Sequence, residues 1–215
     1  MAKAKTSPKG KTTTKTKASA KKSPTDGSSY FQLSLDEIKD KLAALIKENS
    51  IFDGDFILPS GSICNQYLDL SEVLMGAEGG LLASLAVLHK LEEVDFIGGA
   101  APKSYLLSAI SQIAYTKSRD FGCFRLREQP RNFGYSRWIE GPLLQTSRVA
   151  LVQDLVVDGL DLLESIRLLQ DEARAEIVQV IAIVDRGEGA IEKFAELGID
   201  YSPVLTIDRI LDKRK

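Results

Sequence analysis

Apolar positions recur along this chain with two periods, and the switches between them mark the elements. Leu33, Leu35, Ile38, Leu42 and Leu45 follow helical spacing, and Ser34 with Glu37 three residues later has the pattern of a capping box. Residues 56–58 and 66–70 read as short strands around Pro59-Ser60-Gly61, a turn. Residues 81–91 form a helix with Leu81, Leu82, Leu85 and Leu88 inward. A strand over 94–97 then runs into Gly98-Gly99-Ala100-Ala101-Pro102-Lys103, followed by a helix over 106–113, a strand over 124–127 and a polar loop over 128–138.

The most regular stretch lies between Arg148 and Arg186. Residues 149–152 are a short β-rich apolar run, Asp158-Gly159 breaks it, Leu162, Leu163, Ile166 and Leu169 repeat at helical spacing, and 177–184 is a second apolar run. Two parallel strands need a right-handed crossover, so this strand–loop–helix–strand unit predicts buried neighbouring strands with the loop 154–161 at their carboxyl ends. Ligands of open α/β sheets bind at that end. Beyond it come a helix over 190–197 stopped by Gly198, an extended piece at 201–205 and a short helix at 207–211.

Composition changes the picture at the amino terminus. Residues 1–29 hold eight lysines and one aspartate, a charge of +7, which leaves 20 basic against 29 acidic residues, or −9, for 30–215. The tail has no aromatic or branched aliphatic residue, so it is expected to be disordered, with a single α/β domain over 30–215. Any nucleic-acid contact through it would be made by lysines on phosphates alone. No secretory h-region and no apolar run of membrane-spanning length is seen, and Cys64 and Cys123 lie far apart, which points to a reduced, cytoplasmic protein without a membrane partner. His89 is the single histidine, on the flank of its helix, which argues against Ser-His-Asp chemistry or a multi-histidine metal site.

Several residues carry candidate chemistry. The glycine-rich loop 98–103 suits either an oxyanion cradle at a helix start or a tight turn. Arg125, Arg127, Arg131 and Arg137 fall within thirteen residues and suit phosphate recognition or a solvated charged loop. Asp158 and Asp161, at i and i+3, suit helix capping or a shared cation.

The order strand, Gln153-Asp154-Leu155-Val156-Val157-Asp158-Gly159, helix, strand, Val184-Asp185-Arg186-x-Glu188-Gly189-Ala190, with Ile139-Glu140-Gly141 upstream, resembles the orotate phosphoribosyltransferase family. Gly54, Phe56, Leu58, Ser60-Gly61 and Tyr67-x-Asp69 match its opening hairpin, and Arg127-Glu128-x-x-Arg131-x-x-Gly134 its mobile arginine–lysine loop. The resemblance covers about residues 31–212. It implies an α/β phosphoribosyltransferase-like fold: a mostly parallel sheet flanked by helices, with a small N-terminal helix-and-hairpin hood. It also implies a homodimer whose mobile loop reaches the neighbouring site, and Mg²⁺-dependent reaction of orotate with phosphoribosyl pyrophosphate. For this chain it places Arg127 and Arg131 on pyrophosphate and Asp154 on ribose. Ser60, Tyr67, Gly99, Lys103, Asp158, Gly159, Asp185 and Arg186 become the further ligand-binding positions.

The chain departs from the family's pattern in the ligand loops. Val157, Asp158, Gly159, Leu160 and Asp161 stand where the family has Thr, Thr or Ser, Gly, a small residue and Ser, whose hydroxyls and amides the resemblance places on the 5′-phosphate of phosphoribosyl pyrophosphate, so three hydroxyls become one methyl-bearing side chain and two carboxylates. Glu128 stands for a catalytic lysine, Pro59 for a lysine and Gln153 for the first acid. The expectation is therefore a degenerate member that binds phosphoribosyl pyrophosphate weakly and acts by binding or assembly. An active enzyme of pyrimidine biosynthesis and a regulator that contacts nucleic acid through its tail are the alternatives.

Overall fold

The computed structural model describes residues 26–57, 63–100, 104–130 and 137–212. Ser60, Pro59, Lys103, Arg131, Phe133, Gly134 and the tail up to residue 25 lie outside these. Gly27–Gln32 form a 3₁₀ turn in which the Asp26 carboxylate accepts from Ser28 N at 2.9 Å.

Helix α1 (Leu35–Asn49) begins at the predicted capping box, with Glu37 N donating to Ser34 Oγ at 3.3 Å and Ser34 N to the Glu37 carboxylate at 2.9 Å. Its apolar stripe buries Ile38, Leu42 and Ile46. Strands β1 (Ile51–Ile57) and β2 (Ile63–Leu68) pair antiparallel as a separate two-stranded hood. Helices α2 (Ser71–Leu74) and α3 (Ala77–Lys90) follow.

The main sheet holds β3 (Phe96–Ala100), β4 (Gly122–Leu126), β5 (Ile139–Glu140), β6 (Arg148–Val156), β7 (Glu176–Asp185), β8 (Asp200–Tyr201) and β9 (Leu205–Thr206). Between them run α4 (Leu107–Thr116), α5 (Leu160–Ala173), α6 (Ala190–Glu196) and α7 (Ile207–Ile210). The order is β5-β4-β3-β6-β7-β8, with β9 also on β7, and every pairing is parallel except that of β4 with β5. β6 and β7 are buried on both faces, which is why they read as near-continuous apolar runs. One face packs on α1, α3 and α4 through Ile38, Leu85 and Ile110, and the other on α5 and α6 through Leu162, Leu169 and Phe194.

Counted along the chain, the parallel strands β4-β3-β6-β7 are ordered 2-1-3-4, and β8 and β9 share the fifth place beside β7. The winding direction reverses between β3 and β6, and the crevice at their carboxyl ends is the place where such sheets take ligands. The two-residue strand β5 and the single turn of α2 were not anticipated, being too short to show a period, while β8 and β9 overlap the two ends of the extended piece at 201–205.

Candidate active site

Three loops meet at the carboxyl edge of the sheet: those after β3, β6 and β7. At the end of β6, Asp154 is partly buried, with Oδ1 accepting from Leu155 N at 2.7 Å and Oδ2 from the Tyr105 hydroxyl at 3.1 Å. Tyr105 enters from the loop after β3, and nothing in its sequence context announced it. Burial, and then the charge of Asp154, push its pKa well above the ordinary tyrosine value, so the hydroxyl stays a donor. The preceding Gln153 is 1% exposed and its Oε1 has no partner among the described residues. A neutral amide is less costly to bury there than the carboxylate of the family's first acid.

The loop after β6 turns at Gly159, at φ +77°, into α5. Here the two unexpected aspartates are used locally. Asp158 Oδ1 accepts from Leu160 N at 3.1 Å and Asp161 Oδ1 from Leu162 N at 3.0 Å. These carboxylates thus occupy amides that the start of a helix otherwise offers to an anion. Lys193, on α6, donates to the Asp158 carbonyl at 2.8 Å and lies 3.7 Å from Asp158 Oδ2. Both aspartates thus bond amides of the first turn of α5, whose N-cap position is Gly159.

Gly98 and Gly99 lie within β3, not in the loop after it. A Cβ on Gly98 would sit 2.0 Å from Phe124 Cζ, and one on Gly99 2.7 Å from the Val152 carbonyl, so close packing accounts for both glycines.

Along the β4 edge, Arg125 and Arg127 both pair with Glu140 of β5. The Arg125 hydrogen bond, seconded by that of Arg127, holds the Glu140 carboxyl below the usual carboxylate range against the opposing effect of burial. Arg127 also donates to the Gln129 carbonyl at 3.2 Å, and Glu128 beside it is exposed. Of the four arginines read as a cluster, Arg125 and Arg127 thus share one carboxylate, and Arg131 lies outside the described residues.

At the end of β7, Asp185 is buried and accepts from Gly187 N at 2.9 Å, while Arg186 pairs with Glu188 at 3.2 Å. Arg186 N donates to the Val156 carbonyl at 3.0 Å, which fastens this loop to the end of β6. Burial, and then the nearby Asp185 charge, raise the Tyr201 hydroxyl pKa well above its ordinary value, although their contact falls short of hydrogen-bond geometry. Tyr67, on the hood, is half-exposed and packs on Phe56 with ring centroids 5.4 Å apart.

Among the described residues no three His, Cys, Asp or Glu side chains converge into a metal cage. Mg²⁺ bound with phosphates needs only one or two carboxylates. At the ends of β6 and β7, Asp154 and Asp185 are the carboxylates that would hold it.

A strand order of 2-1-3-4-5, a separate hood and three loops at the switch point make this a doubly wound α/β protein with its ligand crevice at the carboxyl edge of the sheet. No family model matches the sequence. The orotate phosphoribosyltransferase of Rhodopseudomonas palustris (strain BisB5) is 32% identical over 183 residues, spanning 80% of this chain and 96% of the relative. That of Aquifex aeolicus is 32% identical over 80% of this chain and 97% of its own length. Among solved structures, Mycobacterium tuberculosis orotate phosphoribosyltransferase in complex with Fe(III) dicitrate superposes with a TM-score of 0.69 at 26% identity, covering 80% of this chain and 98% of that one. The Aeropyrum pernix protein gives 0.62 at 27% identity, covering 80% and 98%. The chain belongs to the orotate phosphoribosyltransferase family.

Proposed function

We propose that this protein is a member of that family whose ribosyl 5-phosphate site is closed by its own carboxylates. It binds phosphoribosyl pyrophosphate weakly and acts through binding or assembly more than through transfer to orotate. The observation behind this is the pair of hydrogen bonds from Leu160 N and Leu162 N to Asp158 and Asp161 in a loop without a hydroxyl. A phosphate entering there would displace both. Two like unit charges at ~4 Å repel by ~4 kcal/mol at an effective dielectric near 20, less where solvent screens the partly exposed Asp158.

The second reading is the active enzyme, which condenses orotate with phosphoribosyl pyrophosphate to orotidine 5′-phosphate and pyrophosphate. Retention of Asp154 and Asp185-Arg186 at the crevice, and of Arg127 with Glu140 along the β4 edge, favours it. In it Arg127 and Arg131 hold pyrophosphate, Asp154 accepts ribose hydroxyls as it now accepts that of Tyr105, and Mg²⁺ arrives with the phosphates. Calorimetric titration with phosphoribosyl pyrophosphate and Mg²⁺, followed by addition of orotate, separates the two. The closed-site reading expects a dissociation constant well above the ~micromolar range and no orotidine 5′-phosphate; a micromolar constant with product formation establishes the enzyme.

The hood supports a two-fold homodimer. A two-stranded hairpin is marginally stable alone, and this one leaves Ile57, Ile63, Phe52 and Tyr67 exposed. Closed two-fold pairs are the commonest assembly, with aromatic residues favoured at their centres. Sedimentation equilibrium at roughly tens of micromolar, a concentration suited to weak dimers, is expected to give twice the chain mass; a monomer throughout would exclude the pair.

A further inference from the structure

Lys193 is separated from Asp158 by 35 positions, yet its ammonium donates to the Asp158 carbonyl at 2.8 Å and stands 3.7 Å from the same residue's carboxylate. An exposed lysine–aspartate pair contributes little. This one differs because its lysine also bonds the backbone of the loop, and because α6 supplies the loop's apolar floor as well. Phe194, next to Lys193, is fully buried, and a Cβ on Gly159 would lie 3.0 Å from its ring. The cation is thereby placed by the packing of α6 at the corner where Asp158 Oδ1 accepts from Leu160 N.

We propose that Lys193 is the specificity-determining cation of this loop: paired with Asp158 it excludes a phosphate-bearing ribosyl ligand, and without that carboxylate it becomes a phosphate ligand together with the Leu160 amide. The proposal rests on reading the loop as the ribosyl 5-phosphate site. In the wild type the ammonium lies beside the Asp158 carboxylate and the Leu160 amide is occupied, so an arriving phosphate meets a carboxylate where the cation and the amide would otherwise receive it. Removing the carboxylate leaves an uncompensated cation on one corner, beside an amide that a neutral side chain holds less strongly than a carboxylate does. A lysine ammonium, a compact charge on a flexible stem, can then turn to the phosphate without backbone movement.

The probes are ribose 5-phosphate and ribose, titrated into the full-length protein by NMR or calorimetry. The wild type should bind ribose 5-phosphate no more tightly than ribose. Asp158→Ser should bind the phosphate about tenfold or more tightly than the wild type, the equivalent of one charge-assisted hydrogen bond, with ribose unchanged. Adding Lys193→Met to Asp158→Ser should abolish the gain. Asp158→Asn, which keeps the side chain's size, should show part of the gain, and it decides the matter if the serine variant does not melt cooperatively. No gain in Asp158→Ser or Asp158→Asn, or an equal gain when Lys193 is also replaced, overturns the assignment. If the wild type forms orotidine 5′-phosphate, the closed-site reading fails with it; if the wild type is inert and the Asp158 variants gain nothing, only the role of Lys193 fails.

Discussion

A chain carrying Val157→Thr, Asp158→Thr, Asp161→Ser and Glu128→Lys is expected to bind phosphoribosyl pyrophosphate about a hundredfold more tightly than the wild type. The first three changes return hydroxyl donors to the loop and remove two carboxylates; the fourth puts a cation beside Arg127. One like-charge contact of ~4 kcal/mol at an effective dielectric near 20, lowered to about 2–3 kcal/mol by solvent at this half-open edge, corresponds to that factor. Threonine and serine keep the ability to cap the first turn of α5, so the melting temperature should change little. Calorimetry of both proteins with Mg²⁺ measures the ratio. Equal dissociation constants would mean that the phosphate of the donor does not enter this loop.

Gly98→Ala should cost about 3 kcal/mol, which lowers the melting temperature of a domain this size by about 6–12 °C. The new Cβ would lie 2.0, 2.3 and 2.5 Å from three ring atoms of Phe124, which is 2% exposed. Gly98 is paired with Phe124 on one side and Leu151 on the other, so neither strand can retreat without breaking the sheet. The ring must give way inside a close-packed layer. Phe124→Leu in the same chain should recover part of the loss although it is destabilising alone, because the two residues contend for one volume. Additive losses in the double variant would show that the ring is not the obstacle.

What was legible from residue order alone was local and periodic. The Ser34–Glu37 capping box, the helical stripe through Ile38 and Leu42, and the two buried strands joined by α5 all follow from patterns that repeat within a few residues. The family frame was legible for the same reason, since Gln153-Asp154, Asp158-Gly159 and Asp185-Arg186 are short strings fastened to strand ends. The basic tail was visible in composition; its residues up to 25 lie outside the described structure. Folding decided the contacts that span the chain. Tyr105 meets Asp154 across 49 positions and Lys193 meets Asp158 across 35, and neither pairing has a local signature. Gly98 looked like part of a phosphate cradle until its neighbour across the sheet, Phe124, proved to need the space. The two aspartates of the α5 loop, which by composition alone should repel any phosphate, are turned onto backbone amides and, for Asp158, towards a lysine. A sequence lists charges but not their directions, and the helix start that was to receive an anion is filled by carboxylates of its own chain.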